Sequence, residues 1–437
     1  MTNKSVVRVV IVGGGFGGLH AALNLSRHPV EVVLIDRKNH HTFQPLLYEV
    51  ATAGLSPGDI TAPIRWVLRR RRNVEVLLAE VTDFDLAHQR VLASDLAIRY
   101  DYLIVAAGAS HAYFGHEEWQ PFAPGLKTVE DALEIRNRVL LAFEVAERQV
   151  LAGAPHPPLN FVIVGGGPTG VELAGTLADI TRKALVRDFR FVDLKRTRII
   201  LVEGGPRVLP AYPEDLSRSA KEQLEKLGVE VRTSAMVTGV DPDAVQIRQE
   251  ILPSVVTLWA AGVAASPLGA RLGVPVDRAG RVVVEQDLSV PGHREVLLIG
   301  DLAAFRTEEG KILPGVAPVA IQEGKAAAKN IVRDLKNQPR LPFHYVDKGS
   351  LATIGRAAAV AEFGKIHISG FLAWIAWLFV HIFFLIGFRN RVLVLFQWAW
   401  SYFTFQRGVR LITGRPELPS LMPAERLEGP SVRSSTR

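Results

Sequence analysis

Two stretches of the chain share one pattern, in which an apolar run leads into a glycine cluster and then into a helix-like apolar run. They are VVIVGGGFGGLHAALNL at 9–25 and FVIVGGGPTGVELAGTL at 161–177. A short apolar run that ends in glycines predicts a buried strand, and apolar positions at helical spacing predict a helix packed on that strand. The pattern therefore predicts two strand–turn–helix units in one chain.

The same reading of apolar positions predicts further elements. Helices are predicted at about 16–27, 60–71, 129–151, 214–227 and 317–335, and buried strands within 6–12, 30–36, 100–109, 198–202, 255–263 and 295–305. Strands that alternate with helices are typical of an α/β fold with parallel sheets.

The predicted elements divide the chain into three parts. Because the chain leaves the second pattern near residue 281, we expect two Rossmann-like dinucleotide-binding domains, the second inserted into the first. The first domain takes 1–125 and 281–340, and the second takes 126–280. Residues 341–437 differ from both domains in composition and are predicted to form a C-terminal, helical, membrane-anchoring region.

The first glycine cluster, residues 13–18, has the G-x-G-x-x-G spacing of a dinucleotide site. Gly13 permits the tight turn, Gly15 lets the backbone approach a pyrophosphate, and Gly18 allows the helix to pack closely on the strand. The start of the helix then offers backbone N–H groups to the phosphates. Asp36 ends the next strand, where a carboxylate can bind the adenosine ribose.

The second glycine cluster, residues 165–170, repeats this spacing. Its candidate ribose-binding acid is Glu203, and the long gap before it is explained by an insertion at 186–197. An acid at this place repels a 2′-phosphate, so the pattern favours NAD over NADP. Arg207 lies nearby in the sequence and leaves that preference open.

Two dinucleotide sites in one chain indicate a flavoenzyme in which hydride crosses between NADH and FAD. The pair Gly300-Asp301 ends a buried strand and precedes an alanine-rich helix. A carboxylate there can bind the ribityl chain of the flavin, which favours FAD in the first domain.

The composition narrows the chemistry, because the chain contains no cysteine. This excludes disulphides, thiolate metal sites, cysteine-ligated iron–sulfur clusters and a redox-active dithiol. His40 and His41 lack ligand-like spacing, so no metal site is predicted. The N-terminal VVRVVIVGGG has the pattern of a buried strand rather than an export signal, so we expect no signal peptide and a cytoplasmic location.

Residues 365–415 have the composition of a membrane-binding segment. No Asp or Glu lies between Phe363 and Pro416, while six basic residues do, and thirteen aromatic residues lie between Phe371 and Phe405. A basic excess on an apolar stretch indicates a lipid surface rather than nucleic acid. The alternative is a pair of buried core or dimer-interface helices.

Two helices are predicted in this segment. As one helix, 371–388 would be about 27 Å long, against a hydrocarbon core of roughly 30 Å. After an interruption at Arg389-Asn390-Arg391, residues 392–410 carry Gln397, Ser401 and Thr404 as a polar stripe, which is typical of an interfacial helix. We expect monotopic or peripheral attachment.

The motifs, taken in order, resemble one family. LIDRKNHHTFQPLLYEVAT, YDYLIVAAGAS, GGGPTGVELAG, WAAGV and LIGDLA resemble the type II NADH dehydrogenases, the non-pumping NADH:quinone oxidoreductases, over roughly residues 6–415. The resemblance implies FAD and NADH as cofactors and a membrane quinone as the electron acceptor. It also implies attachment at the cytoplasmic face of the cell membrane.

Carried across residue by residue, the resemblance implies two sets of cofactor contacts. FAD is expected on Gly13, Gly15, Phe16, Gly17, Gly18, Asp36, Val81 (through its backbone) and Asp301. NADH is expected on Gly165, Gly167, Pro168, Thr169, Gly170, Glu203 and Gly262.

The resemblance also implies two catalytic residues. Glu172 resembles a family glutamate near the contact of flavin and nicotinamide, although a helix-start carboxylate favoured by the helix dipole is the simpler interpretation. Gln322 is expected on the quinone side of the flavin. Pro318 departs from the pattern, since the family often has a glutamine there.

The absence of cysteine distinguishes this chain from several families that share its predicted architecture. Disulphide reductases, cysteine-dependent NADH oxidases and sulfide:quinone oxidoreductases all need thiols, so they are excluded. We predict transfer of hydride from NADH to FAD and of two electrons to a quinone. Two alternatives remain, a reductase of a small electron-carrier protein and a non-catalytic NAD-sensing flavoprotein, and a homodimer is left open.

Overall fold

The computed structural model describes residues 6–404 and 409–414. The helices are α1 Phe16–Leu25, α2 Leu47–Ala51, α3 Pro57–Ile60, α4 Ile64–Leu68, α5 Val129–Leu151, α6 Pro168–Asp179, α7 Glu214–Lys226, α8 Ala317–Leu335, α9 Phe371–Phe384 and α10 Phe388–Thr404. The strands are β1 Arg8–Val12, β2 Glu31–Asp36, β3 His40–Thr42, β4 Thr61–Pro63, β5 Val74–Leu78, β6 Val81–Asp85, β7 Arg90–Ala93, β8 Leu96–Arg99, β9 Tyr102–Val105, β10 Ala109–His111, β11 Asn160–Val164, β12 Arg198–Val202, β13 Val229–Arg232, β14 Val237–Val240, β15 Ala244–Ile247, β16 Glu250–Pro253, β17 Val256–Trp259, β18 Val263–Ala265, β19 Val282–Val283, β20 Ser289–Val290, β21 His293–Leu298, β22 Ala303–Ala304, β23 Ser350–Gly355, β24 Ala358–Phe363 and β25 Ile366–Ser369.

The described chain forms two units. The first unit consists of residues 6–43, 61–112 and 263–348. The second consists of residues 44–60, 113–262 and the described residues from 349 onward. Each unit contains one of the two glycine clusters.

The first unit is built on a six-stranded sheet in the order β20-β21-β9-β1-β2-β5. Its strands run parallel except β20, which pairs antiparallel with β21. Val9, Val10 and Ile11 of β1 are fully buried, which explains the unbroken apolar run before the glycines. Because β2 and β9 flank β1 on opposite sides, the loop after β1 lies at the topological switch point where ligands bind in such sheets.

Helices α1 and α8 of the first unit pack closely against each other. A Cβ atom on Gly324 would lie 2.3 Å from the carbonyl oxygen of Gly17, closer than any side chain allows. The crossing of the two helices therefore requires glycine at position 324.

The second unit repeats the design with a four-stranded parallel sheet in the order β13-β12-β11-β17. The ring of Tyr113 stacks on that of Trp259 with centroids 5.2 Å apart, in a core cluster with Trp119. Helix α5 begins with a capping box, in which Thr128 Oγ1 accepts the Asp131 N–H at 3.1 Å and the Asp131 carboxylate accepts the Thr128 N–H at 2.9 Å. The prediction for 129–151 is confirmed.

A three-stranded sheet, β23-β24-β25, also belongs to the second unit. Strand β23 packs on α6 so closely that a Cβ atom on Gly175 would lie 1.5 Å from the carbonyl oxygen of Ile354. Helix α9 packs on β24. The sequence analysis did not predict this sheet, because it assigned 341–437 from composition alone.

The C-terminal helices differ from the prediction. Helix α9 ends at Phe384 rather than 388, because Leu385 is extended and Gly387 has φ +91°. Helix α10 then starts at Phe388, so Arg389-Asn390-Arg391 lies inside a helix and does not interrupt one, and within 392–410 residues 405–408 lie outside the described chain. With 14 residues, α9 is about 21 Å long. Among the described helices, none combines the length and apolar character needed to cross a membrane.

The helix predicted at 60–71 is also shorter than expected. Thr61–Pro63 forms strand β4 and pairs antiparallel with β3, and α4 covers only Ile64–Leu68. Pro63 disfavours helical dihedral angles at the residue before it, which explains the extended conformation of Ala62.

Candidate active site

Residues 13–18, the first glycine loop, connect β1 to α1. Gly13 has φ +103°, and a Cβ atom there would lie 2.3 Å from the carbonyl oxygen of Ala106. A Cβ atom on Gly18 would lie 1.9 Å from the Gly13 carbonyl oxygen, whereas no atom of the described residues lies within 4 Å of one on Gly15. The turn and the helix packing thus need two of the glycines, and the third faces open space suited to a ligand.

Asp36 closes the first glycine loop from the end of β2. Its Oδ2 atom accepts the backbone N–H of Gly14 at 2.6 Å, and Oδ1 accepts that of Lys38 at 2.7 Å. The structure therefore brings the predicted ribose-binding acid to the loop, on the adjacent parallel strand.

Residues 165–170, the second glycine loop, connect β11 to α6 with the same geometry. Gly165 has φ +109°, and a Cβ atom on it would lie 2.4 Å from the carbonyl oxygen of Ala260. A Cβ atom on Gly170 would lie 1.8 Å from the Gly165 carbonyl oxygen, and one on Gly167 would have no atom of the described part of the chain within 4 Å.

Glu203 takes the position in the second unit that Asp36 takes in the first. Its Oε2 atom accepts the N–H of Gly166 at 2.6 Å, and Oε1 accepts that of Gly205 at 2.6 Å. The Arg207 guanidinium donates to the carbonyl oxygens of Tyr212 and Pro210, at 2.8 and 2.9 Å. Arg207, which left the preference for NADH over NADPH open, thus donates its hydrogen bonds to the backbone of its own loop.

The other residues predicted to bind FAD lie near the first glycine loop along the chain or in the sheet. Phe16 begins α1 and contacts His41 edge to face, with centroids 4.9 Å apart. Val81 begins β6, three residues after Leu78, which pairs with Asp36. A Cβ atom on Gly17 would lie 3.0 Å from Ile299 Cδ1, so the turn that carries Asp301 lies beside the start of α1.

The other residues predicted to bind NADH belong to the second unit. Pro168 is the first residue of α6, where its fixed φ suits a helix start and no N–H is needed, and Thr169 follows it. Gly262 follows β17, and a Cβ atom on it would lie 2.8 Å from Phe114 Cζ. The Phe114 ring therefore covers one side of Gly262.

Both loops fit a dinucleotide. Gly15 and Gly167 are the N-cap residues of α1 and α6, and neither helix start carries a side-chain cap. The first-turn N–H groups and the space above the two glycines suit a pyrophosphate, which binds at helix N-termini. Both glycine loops thus offer the N–H donors that the pyrophosphates of FAD and NADH require.

Glu172 lies in α6 beyond its first turn, in a desolvated position. Burial raises the pKa of its carboxyl group well above the usual value, a hydrogen bond from the Thr353 backbone opposes this shift, and Glu49 adds to it. A favourable interaction with the helix dipole would lower the pKa of Glu172. Its raised pKa therefore reflects burial rather than the helix dipole.

Gln322 lies in α8, and both ends of its amide bind one residue. Its Nε2 atom donates to the Val346 carbonyl oxygen at 2.9 Å, and its Oε1 atom accepts the Val346 N–H at 3.0 Å. The next residue, Glu323, has a buried carboxyl group that the sequence analysis missed. An acid within a helix carries no sequence signal of burial.

Two glycine loops that fit a dinucleotide, each after a strand of a parallel sheet, are typical of a known class of oxidoreductase. Residues 7–324 match the family described as pyridine nucleotide-disulphide oxidoreductase. Residues 348–407 match the NDH2 C-terminal domain. Within that class, the chain belongs to the type II NADH:quinone oxidoreductases, as its relatives show.

Two curated relatives match most of the chain. The chain is 46% identical to the type II NADH:quinone oxidoreductase Ndh of Mycobacterium tuberculosis over 422 residues, which cover 93% of this chain and 90% of that protein. It is 30% identical to the type II NADH:quinone oxidoreductase of Haemophilus influenzae, over 82% of this chain and 88% of that protein. The prediction of the family is confirmed.

Solved structures share the fold at low identity. NDH2 of Plasmodium falciparum in complex with NADH has a TM-score of 0.82 at 23% identity, covering 93% of this chain and 100% of that chain. The sulfide:quinone oxidoreductase of Aquifex aeolicus has a TM-score of 0.71 at 20% identity, covering 88% and 92%. At this identity the likeness shows the shared fold alone.

Proposed function

We propose that this chain transfers hydride from NADH to FAD and then two electrons to a membrane quinone, without ion pumping. The observation that carries the proposal is the pair of glycine loops, each closed by one carboxylate, in a chain that belongs to the type II NADH:quinone oxidoreductases. Bound FAD supplies the chemistry that links a hydride donor to a two-electron acceptor.

FAD is assigned to the first unit. The N–H groups at the start of α1 bind its pyrophosphate, Asp36 binds the adenosine ribose, and Asp301 binds the ribityl chain. Gly15 leaves room for the phosphates, and Asp301 lies against Gly315, whose Cβ atom would be 3.0 Å from Asp301 Oδ1. Val81 contributes its backbone.

NADH is assigned to the second unit, with its pyrophosphate at the start of α6 and its ribose on Glu203. Two short hydrogen bonds to backbone N–H groups keep the Glu203 carboxylate at the loop. A 2′-phosphate would meet this negative charge, and Arg207 is already bonded to two carbonyl oxygens. This arrangement favours NADH over NADPH.

Glu172 and Gln322 are assigned different roles. Burial raises the pKa of the Glu172 carboxyl group well above its usual value, and we assign this group to orienting the nicotinamide or exchanging a proton during turnover. Gln322 holds the chain at Val346 through both ends of its amide, so we assign it a positioning role on the quinone side.

The membrane contact is assigned to residues 365–415, at the cytoplasmic face of the membrane. Large apolar side chains of α9 and α10 are exposed: Phe371, Leu372, Phe379, Phe383, Leu395, Phe396 and Trp400. Exposed aromatic residues on neighbouring helices are typical of a lipid-binding surface. A lipid-dissolved quinone can then reach the protein from the bilayer.

The test is steady-state oxidation of NADH by the purified, FAD-loaded full chain, with a short-chain quinone as acceptor. We expect sustained turnover, faster with NADH than with NADPH. A preparation that holds FAD but oxidises NADH with no quinone analogue would contradict the proposal.

The two alternatives differ in the same assay, because a carrier-protein reductase needs its protein acceptor and a sensor stops after one reduction of its flavin. Sedimentation of the protein in detergent measures its oligomeric state and shows whether it forms a homodimer.

A further inference from the structure

Glu323 lies in the second turn of α8, and only 1% of its surface is exposed. Its Oε2 atom accepts the backbone N–H of Gly300 at 2.5 Å. Gly300 has φ +74° and starts the short 3-10 turn that carries Asp301. The Glu323 carboxyl group thus braces this turn from the protein interior.

The surroundings of Glu323 are tightly packed. At the next position, Gly324 meets the backbone of Gly17 at the crossing of α1 and α8, and Ala320 lies one turn before Glu323, with its Cβ atom 3.5 Å from where a Cβ of Gly300 would be. Among the described residues, the hydrogen bond that the Glu323 carboxyl group accepts comes from the Gly300 N–H. A shift of that side chain would move the Gly300–Asp301 turn.

The 3-10 turn and α1 both pack on α8. Each of the three carries a charged or titratable residue, namely Asp301 in the turn, His20 on α1 and Lys325 on α8, and Asp301 is the one whose charge acts on Glu323. Burial raises the pKa of Glu323 to about 8, the Gly300 hydrogen bond opposes this shift, and the Asp301 charge adds to it. Burial lowers the pKa of His20, a hydrogen bond with the Phe16 carbonyl oxygen opposes this shift, and the charge of Lys325 lowers the pKa further.

We infer that Glu323 is a positioning residue of the FAD site, which holds the Gly300–Asp301 turn in place as a neutral acid. The inference rests on the proposed assignment of Asp301 to FAD. A neutral carboxyl group can accept the Gly300 N–H without placing a second negative charge beside Asp301 and the cofactor's phosphates. Ionised Glu323 adds that charge in a desolvated place, where like charges repel strongly.

The consequence is a pH-dependent affinity for FAD. Below pH 8 the carboxyl group keeps its proton and FAD affinity is constant. Above pH 8 the group ionises in the FAD-free protein, and affinity falls by up to about tenfold per pH unit, the limit for one coupled proton. We expect a loss of several-fold to roughly thirtyfold between pH 7 and pH 9.5.

The decisive variant is Glu323→Gln in the full chain. Glutamine has the shape of the neutral acid and keeps an oxygen for the Gly300 N–H, but it cannot ionise. The dissociation constant of FAD is measured from pH 6 to 10 by the fluorescence of released flavin, without NADH or quinone. We expect E323Q to match the wild type at pH 6–7 and to stay constant up to pH 9.5.

Two results would overturn the inference. One is a decline of FAD affinity in E323Q that parallels the wild type, and the other is loss of FAD from E323Q at pH 7, where glutamine should replace the neutral acid. The matched control is Glu308→Gln, an exposed carboxylate of the same unit, which should keep the wild-type profile.

Two further variants separate bracing from charge and from the proposed function. Glu323→Ala leaves the Gly300 N–H without its acceptor, so we expect weaker FAD binding at every pH, and wild-type affinity in folded E323A would overturn the bracing role. Asp301→Asn should weaken FAD binding, and its full retention would remove the basis of the inference. A protein with the expected FAD profile that reduces no quinone would contradict only the proposed function.

Discussion

Glu203 accepts the backbone N–H of Gly166 across the mouth of the second glycine loop, with donor and acceptor 2.6 Å apart. Asp36 makes the equivalent bond to Gly14 in the first unit, also at 2.6 Å. Each carboxylate therefore shapes its loop as well as offering an acceptor to a ribose. A substitution at either position should change the order of that loop and weaken the binding of the nucleotide assigned to it.

We expect Glu203→Gln to lower kcat/KM for NADH by about 10- to 100-fold, since hydrogen bonds to a charged group contribute roughly 1.5–3 kcal/mol. The value for NADPH should fall less, because the charge that repels a 2′-phosphate is gone. Steady-state assays with both nucleotides measure the ratio. Asp36→Asn is the matched control, which should reduce FAD content and leave the ratio unchanged. An unchanged ratio in E203Q would show that the carboxylate does not select the nucleotide.

The second glycine loop allows a sharper test, because two of its glycines differ in what a methyl group would meet. Gly170→Ala places a Cβ atom 1.8 Å from the Gly165 carbonyl oxygen, so we expect a protein that unfolds at lower temperature or fails to fold. The methyl group of Gly167→Ala would have no neighbour within 4 Å in residues 6–404 and 409–414, so stability and FAD content should match the wild type.

The same Gly167→Ala substitution occupies the space proposed for the NADH pyrophosphate. We expect its KM for NADH to rise at least tenfold while the melting temperature stays constant. Thermal melts, flavin absorbance and NADH titrations distinguish the two glycine variants. Normal NADH affinity in G167A would place the pyrophosphate elsewhere.

Much of the fold follows from local pattern. The unbroken apolar runs of β1 and β11 and the glycines after them predict the two parallel-sheet units, because strands buried on both faces read as continuous apolar sequence. The bounds of α5 and α8 agree with the prediction to the residue. These helices have clear capping or proline signals at their starts.

The rest depended on tertiary contacts that a single sequence does not show. The sheet β23-β24-β25 is specified partly by Gly175, whose missing side chain lets β23 approach α6. The break after Phe384 depends on the backbone of Leu385 and Gly387, within a run that is apolar throughout. At the candidate site, the hydrogen bonds of Asp36 and Glu203 match the predicted positions of both acids. The burial of Glu172 and Glu323 is set by distant residues and could not be predicted.

Glu172 should make the stability of the protein depend on pH. Its pKa is raised in the folded state, so the unfolded chain loses this proton first as pH rises from the usual value of 4.5. Stability from this group is complete below that value and is lost toward the folded pKa, by at most about 1.4 kcal/mol per pH unit.

Glu172→Gln should therefore gain stability relative to the wild type as pH rises from 5 to 8, and the two proteins should be most alike near pH 5. Urea unfolding at several pH values, followed by tryptophan fluorescence, measures the difference. Glu222→Gln, at an exposed position on α7, is the control and should keep the wild-type pH dependence. A constant difference between E172Q and the wild type at all pH values would mean that Glu172 is not a proton-holding group in the folded state.

Phe379 and Phe383 lie one turn apart on α9, and each has 68% of its surface exposed. Transfer of each ring into lipid should contribute about 1.5–3 kcal/mol, so removal of both should weaken vesicle binding at least 100-fold. We therefore expect Phe379→Ser with Phe383→Ser to lower the fraction that sediments with vesicles containing anionic lipid. Oxidation of NADH by a water-soluble acceptor should stay at the wild-type rate, because neither residue belongs to a glycine loop.

Ile251→Ser, at a 70% exposed position on β16, tests whether any exposed apolar residue has the same effect, and it should bind vesicles normally. Equal vesicle binding by the double variant and the wild type would move the membrane contact away from α9.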